Sequence, residues 1–161
     1  MTRLPFRRSG TALLLLGLLS LGAGCSTAPT FPTVDLSEAG WKVRELPAVW
    51  RPRRGAPELT GELLVAVNGG SRLVQFSKQG LPVLTAQTST NGWRISSALQ
   101  SGSHTGRLPP PRQVLWFLID RSPPTSAVPS PWRLEDRGSG GGWTLSNPRT
   151  GESLETAPVS D

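Results

Sequence analysis

Few residues of this chain have side chains suited to covalent or metal chemistry. Cys25 is the only cysteine and His104 the only histidine in 161 residues, which excludes disulfide bonds within the chain, Cys–His dyads and zinc sites built from several Cys and His ligands. His104 lies in a stretch rich in Gly, Ser and Thr, a composition typical of loops. Glu135 and Asp136 are adjacent, and on an extended segment their side chains point to opposite faces. We therefore predict that the protein is not an enzyme and has no catalytic residues, no metal and no other cofactor.

The positive charge of the chain is concentrated in part at its N-terminus. The chain has 17 Lys+Arg and 11 Asp+Glu, a formal charge of +6. Arg3, Arg7 and Arg8 precede the mature domain predicted below, and removing these three from the 17 leaves 14 basic against 11 acidic residues. This mild excess does not indicate a nucleic-acid partner. The Gly-rich segment 138–142 is not followed by Lys, so no phosphate-binding loop is expected.

Residues 1–24 have the organisation of an export signal. The three arginines precede an apolar run over residues 11–21, which is shorter than the roughly 20 residues that a membrane-spanning helix needs. The run ends in small residues before Cys25 (LGAGC, 21–25), and this segment resembles a bacterial lipobox. The resemblance implies that Cys25 is lipidated on its thiol and becomes the acylated first residue of the mature protein. The alternatives are an ordinary cleaved secretory signal and an uncleaved short anchor.

The chemistry of a lone thiol agrees with lipidation of Cys25. In an oxidising compartment a free thiol forms stray disulfides, and alkylation prevents this. Several acyl chains, at about 0.8 kcal/mol per buried CH₂ group, hold a protein firmly on a membrane. Ser26 follows the cysteine, which favours the outer membrane. We expect residues 1–24 to be a lipoprotein signal peptide and residues 25–40 a lipid-anchored tether at the periplasmic face of the bacterial outer membrane.

From residue 41 onward the sequence has the pattern of β-strands. Short stretches alternate apolar and polar residues, which is typical of half-buried strands. Asn-Gly-Gly at 68–70 and Asn-Gly at 91–92 supply the positive-φ residues of tight turns, so the simplest topology is an antiparallel meander. The segment from Ser153 to Asp161 is mostly polar and is expected to fray. We predict a β domain over residues 41–155 and a polar tail over 156–161.

The most apolar segment of the domain has no clear periodicity. Residues 114–119 are all apolar, which suits a buried strand or a short buried helix equally well. Pro111 fits the first position of a helix, and two prolines at 123–124 end the segment. The state of residues 112–120 is therefore left open by the residues alone.

The order of these segments is similar to that of the LolA/LolB-like family of lipoprotein carriers and receptors, nearest to outer-membrane lipoproteins of the LolB type. The matching features are the lipobox, the paired strands between residues 63 and 95, the proline-led segment at 108–118 and the Gly-Trp strand at 142–145. The resemblance implies a mainly β (α+β) fold: a curved, incompletely closed antiparallel sheet, or half-barrel, with a short helical lid. It also implies an apolar cavity that accepts acyl chains without covalent chemistry.

The cavity implied by this resemblance is lined by apolar residues of the predicted strands and of the proline-led segment. These residues are Val65, Val67, Val74, Phe76, Leu84, Trp93, Ile95, Trp116 and Trp143. The alternative is that they form an ordinary core, because large aromatic side chains dominate core burial in any small domain.

Four residues are candidates for contact with a membrane or a partner. Leu81 lies in the link between two predicted strands, and the alternative for it is ordinary strand packing. Arg51, Arg53 and Arg54 form a basic segment that suits anionic headgroups or an acidic protein surface, and the alternative for them is a solvated turn.

Two functions of different classes follow. The first is an outer-membrane-anchored lipoprotein that binds acyl chains or lipoproteins in an apolar cavity, in a LolB-like localisation or receptor role with a periplasmic carrier as partner. The second is a structural or protein-interaction lipoprotein of the cell envelope with no lipid cargo, which binds through a sheet edge or the basic turn. Both are monomers held on the membrane by the lipid on Cys25.

Overall fold

The structure is a computed structural model of the chain, and it describes residue 31 and residues 33–99, 102–107, 109–111, 128–137 and 142–157. Within this part, nine strands form one antiparallel sheet. Their bounds are β1 Lys42–Arg51, β2 Leu59–Asn68, β3 Ser71–Lys78, β4 Leu81–Ser89, β5 Gly92–Ser97, β6 Ser103–Gly106, β7 Arg133–Asp136, β8 Trp143–Asn147 and β9 Glu152–Thr156. The order across the sheet is β6-β5-β4-β3-β2-β1-β9-β8-β7.

The first six strands form a meander, because each is hydrogen bonded to the next along the chain. The turn after β2 contains Gly69 at φ 56°, as its Asn-Gly-Gly sequence predicts. The turn after β3 consists of Gln79 and Gly80, at φ 53° and 76°. Two successive residues with positive φ match the right-handed twist of the flanking strands. The predicted meander is therefore confirmed for β1 to β6.

The last three strands return to the free side of β1. Leu154 on β9 lies opposite Trp50 on one side and Leu145 on the other, so β9 is held between two strands. Leu154 is fully buried and Thr156 is 1% exposed. The prediction that residues 153–161 fray is wrong for residues 153–156, because β9 gains its order from partners on both sides that its polar sequence does not reveal. Residues 158–161 lie outside the described residues.

One face of the sheet, which we call the apolar face, carries the core of the protein. Its buried members come from seven strands and from the residue before β7: Ala48, Trp50, Leu63, Val65, Val74, Phe76, Ala86, Ile95, Trp132, Trp143, Leu145 and Leu154. None of them is more than 8% exposed. The sheet curves around this face as an open half-barrel, and the side chains of these strands form one cluster. In the part of the chain that the structure describes, the end strands β6 and β7 are not paired with each other.

Two local features bend the sheet at β2 to β4. Phe76 lies opposite Leu84 but Ser77 lies opposite Pro82, so β4 contains one extra residue at this point. A Cβ atom at Gly61 would lie 2.0 Å from the carbonyl oxygen of Ser77, which means that the close approach of β2 to β3 requires glycine. Bulges and strand glycines both produce local bends.

The predicted α+β class with a helical lid is wrong. The described residues contain no helix, and the fold they form is all-β. The physical reason is that, within the described residues, apolar side chains from seven strands pack into one cluster, so strand pairing and sheet packing form this part of the fold without a helix. The prediction depended on residues 112–120, and these lie outside the described residues.

Candidate functional site

Eight of the nine residues predicted to line a cavity share the apolar face: Val65, Val67, Val74, Phe76, Leu84, Trp93, Ile95 and Trp143. Five of them are buried, and Val67, Leu84 and Trp93 are half-buried. The ninth, Trp116, lies outside the described residues. The structure thus brings the predicted residues onto one surface, and their role in ligand binding stays a prediction.

Sequence reasoning missed two tryptophans of the same surface. The ring of Trp50 contacts the ring of Phe76 edge to face, with centroids 5.5 Å apart, an arrangement that aromatic pairs favour. Trp132 is 4% exposed. A signal for Trp50 was present, since Leu46, Ala48 and Trp50 alternate along β1. A signal for Trp132 was also present, because Trp132 and Leu134 alternate with polar residues over 132–135.

Trp93 is held in one orientation near the open edge of the sheet. Its indole Nε1 donates to the carbonyl oxygen of Arg107 at 2.8 Å. Its ring lies directly over Gly106, where an added Cβ would be 2.4 Å from Cζ2. Glycine at 106 therefore allows the half-buried Trp93 ring to lie flat on β6, where it forms part of the apolar face.

One end of the apolar face also carries polar groups. Glu152 and Asn147 lie opposite each other on β9 and β8, and both are buried, at 8% and 6% exposed. The indole Nε1 of Trp50 donates to Oε1 of Glu152 at 3.3 Å. The indole Nε1 of Trp132 is buried and has no hydrogen-bond acceptor among the described residues. A buried carboxyl and a buried unpaired donor both oppose folding, so this cluster is a candidate for function.

Burial changes the acidity of Glu152. Desolvation of the charged form raises the pKa of its carboxyl from 4.5 to about 7, and the hydrogen bond from Trp50 opposes this rise. No cation pairs with Glu152 in the part of the chain that the structure describes. The carboxyl therefore changes its charge near neutral pH.

The opposite face of the sheet, which we call the outer face, carries a groove of a different character. It has a volume of about 270 Å³ and lies over β3, β4 and β5, with one wall formed by the segment before β1. Its lining is Thr33, Val34, Leu73, Gln75, Thr85, Gln87, Arg94 and Ser96. Most of these side chains are polar, so this groove does not provide the apolar cavity that the sequence predicts.

The turns of the meander alternate between the two ends of the strands, and one end differs in its exposed residues. The links after β1, β3, β5 and β8 lie at this end, which we call the loop end. It carries two exposed leucines, Leu81 at 71% and Leu99 at 55% exposed. Arg53 and Arg149 are exposed in the links after β1 and β8. The predicted contact residues thus share one end of the molecule, and Leu99 and Arg149 extend that group beyond the prediction.

Two of the predicted contact arginines also have partners within the protein. Arg51 forms an ion pair with Glu58. The backbone N–H of Arg54 donates to the carbonyl oxygen of Thr150 at 2.9 Å, and its Nη2 donates to the carbonyl oxygen of Pro148 at 3.2 Å. Arg54 therefore joins the link after β1 to the turn after β8, which makes it a positioning residue for the loop end.

The remaining predictions concern lipidation and metals. Cys25 lies outside the described residues. Within the described ranges, no helix is long and apolar enough to cross a membrane, and no group of three or more His, Cys, Asp or Glu side chains could hold a metal ion.

Comparisons with known proteins found no similar protein. A scan of protein-family models found none that matches this chain, and searches of curated proteins and of solved structures found no match either.

Proposed function

We propose that this protein is a lipoprotein of the bacterial outer membrane that binds acyl chains on its apolar face, in a LolB-like role as a receptor for lipoproteins. The observation that carries the proposal is the open, curved sheet whose apolar face extends from β5 through β8. An acyl chain buried on such a surface is stabilised by about 0.8 kcal/mol per CH₂ group. Binding and release of this kind need no catalytic residues, in agreement with the scarcity of Cys and His.

The loop end supports a membrane-bound location. Exposed leucines beside exposed arginines suit the boundary between acyl chains and anionic headgroups, because leucine gains from burial in the acyl region and arginine from the negative surface potential. Leu81, Leu99, Arg53 and Arg149 are the residues in question. In this arrangement the lipid on Cys25 anchors the chain, and the loop end contacts the bilayer or an incoming carrier.

The test is a direct search for bound acyl chains. The full chain carrying Cys25→Ala, which cannot be lipidated, is purified without detergent, and native mass spectrometry detects molecules that accompany it. Binding of 1-lauroylglycerol is then measured by tryptophan fluorescence. The proposal predicts a stoichiometric acyl species or saturable binding of the added lipid.

Two half-buried residues of β2 provide a matched pair of variants. Val67 lies on the apolar face and Leu64 on the outer face. Val67→Gln is expected to weaken lipid binding about fivefold to tenfold, because it places an amide against the acyl chain. Leu64→Gln is expected to leave binding unchanged. Equal effects of the two variants, or no binding by the parent chain, would contradict the proposal.

A second candidate function is protein interaction through a free sheet edge. β6 contributes side chains that are mostly exposed, and in the described part of the chain it pairs only with β5. An edge of this kind can accept a strand from another protein. A chain that carries no acyl species and retains a single envelope protein through β6 would favour this candidate over lipid binding.

A further inference from the structure

The loop end of the apolar face buries one polar atom without a partner and one carboxyl without an ion-pair partner among the described residues. Trp132 is 4% exposed, and its Nε1 has no acceptor in the described part of the chain. Glu152 is 8% exposed, and its carboxyl accepts a hydrogen bond from Trp50 at 3.3 Å. A donor without an acceptor and a carboxyl without a cation each cost stability. Their persistence on one surface therefore points to a ligand.

The register of the last three strands places these groups at one level. Asn147 on β8 lies opposite Glu152 on β9. Arg133 on β7 lies opposite Ser146, so Trp132, one residue earlier, lies at the level of Asn147. Trp132 and Glu152 are both on the apolar face, where a hydrogen-bond donor and a carboxyl are thus available at the same end of an otherwise apolar surface.

In the part of the chain that the structure describes, the charged groups around this end do not neutralise Glu152. Arg51 points to the outer face and pairs with Glu58. Arg54 donates to the carbonyl oxygen of Pro148, and Arg53 and Arg149 are exposed in the links after β1 and β8. A ligand with its own carboxylate would meet the negative charge of Glu152, which opposes its binding. A neutral ligand group avoids this repulsion.

On the basis of the proposed acyl binding, we propose that Trp132 and Glu152 form a subsite for the polar head of the bound lipid. Trp132 Nε1 donates to an oxygen of the head, and the Glu152 carboxyl accepts from a hydroxyl or amide hydrogen of the same head. The class of ligand is therefore an acyl chain with a neutral head that has both a donor and an acceptor, such as an acylglycerol or an N-acyl amide. Asn147 lies at the same level of the sheet, opposite Glu152.

Two probes with the same chain separate the roles of the two residues. 1-Lauroylglycerol has hydroxyl donors and an ester acceptor, whereas methyl laurate has only the acceptor. The full chain with Cys25→Ala should prefer 1-lauroylglycerol by about twofold to tenfold, the range that one hydrogen bond supplies. In Glu152→Leu this preference should disappear, and in Glu152→Gln it should persist because the amide oxygen still accepts. Trp132→Phe should weaken the binding of both probes by a similar factor.

Thr144→Val is the control. Thr144 Oγ1 is also buried and without a partner among the described residues, but it lies on the outer face, so its removal should change neither affinity. Circular dichroism checks the fold of each variant. If Trp132→Phe does not fold, the comparison of Glu152→Leu with Glu152→Gln still tests the subsite. Binding of both probes with no difference between Glu152→Leu and Glu152→Gln would overturn the subsite and leave the proposed acyl binding intact. Failure of the parent chain to bind either probe would overturn both.

Discussion

The two faces of the sheet bury residues in different ways. The apolar face joins side chains from seven strands into one cluster. On the outer face the buried residues include Ala66 and Leu73, which lie opposite each other on β2 and β3, beside a polar groove. The apolar face therefore holds the fold together, whereas the outer face is close to an ordinary protein surface.

The polar groups differ between the faces as well. On the outer face Thr85 donates to Gln75, and Gln75 donates to Ser77, so neighbouring side chains pair along the strands. On the apolar face Trp132 Nε1 has no acceptor and Glu152 has no ion-pair partner among the described residues, whereas on the outer face Thr144 Oγ1 is the buried side-chain atom without a partner in that part of the chain. Because unpaired polar groups cost more in a buried site, the apolar face combines a large hydrophobic cluster with a buried carboxyl and a buried unpaired donor. A fold under no functional constraint would gain stability by replacing them.

The largest difference between the faces is expected from truncation of a neighbouring pair on β3. Phe76 is fully buried, and Phe76→Ala should lower the free energy of unfolding by about 3–5 kcal/mol through the lost burial and the cavity left beside Trp50. Gln75→Ala on the outer face should cost less than about 1 kcal/mol. Urea unfolding followed by tryptophan fluorescence measures both. Similar losses would show that the outer face carries as much of the stability as the apolar face.

The next largest effect concerns the buried carboxyl and depends on pH. Burial raises the pKa of Glu152 from 4.5 to about 7, so the folded state binds the proton more tightly than the unfolded state. The stabilisation is complete below pH 4.5 and is lost as pH rises through about 7, in total about 3 kcal/mol. Glu152→Gln has no such proton, so it should exceed the parent chain in stability at pH 8 by an amount that falls below about 1 kcal/mol at pH 5 and vanishes only below pH 4.5.

Urea unfolding at pH 5 and pH 8 checks this expectation. Glu155→Gln is the control, because Glu155 lies on the outer face and pairs with Arg137 near the surface. It should leave the pH dependence of the parent chain unchanged. If the stability of Glu152→Gln has the same pH dependence as that of the parent chain, the carboxyl is solvated and water reaches this end of the apolar face.

A smaller effect is expected at the bend that makes the apolar face concave. A Cβ at Gly61 would lie 2.0 Å from the backbone oxygen of Ser77, so Gly61→Ala should force β2 and β3 apart and cost about 1–3 kcal/mol. Gly70 lies in a turn where the nearest atom to an added Cβ is a methyl carbon of Thr90 at 3.1 Å. Gly70→Ala should cost about 0.5 kcal/mol or less. Thermal unfolding of the two variants measures the difference, and equal melting temperatures would argue against a required close approach.

These contrasts also show what the sequence reveals and what it does not. The strands around Asn-Gly-Gly and Asn-Gly turns follow from local patterns, and alternation placed Val65, Phe76 and Ile95 on one face. β9 was not predicted because its sequence does not alternate between apolar and polar residues. Glu152, Leu154 and Thr156 are buried only through the pairing of β9 with β1 and β8. The helical lid was predicted from the family resemblance, because periodicity did not decide between helix and strand. That prediction is wrong, since the described residues contain no helix.

The polar end of the apolar face could not be found from the sequence. Trp50 and Glu152 are 102 residues apart in the chain, and no short motif connects them. Glu152 follows Gly151 in a polar segment and would be expected at the surface. Its burial depends on the insertion of β9 into the sheet, which is a property of the tertiary structure. Sites assembled from distant strands in this way need coordinates before they can be recognised.

The smallest effect is expected on the outer face, from the ion pair between Arg51 and Glu58. Both side chains are substantially exposed, at 42% and 53%, and water screens pairs of this kind, so their coupling is expected to be about 0.2–1 kcal/mol. A double-mutant cycle with Arg51→Ala and Glu58→Ala measures it by urea unfolding. The coupling should fall further in 1 M NaCl, where the screening length is about 3 Å. A larger coupling that persists in salt would mean that the outer face contains a buried electrostatic contact. The two faces would then differ in the kind of interaction that stabilises them, and less in its strength.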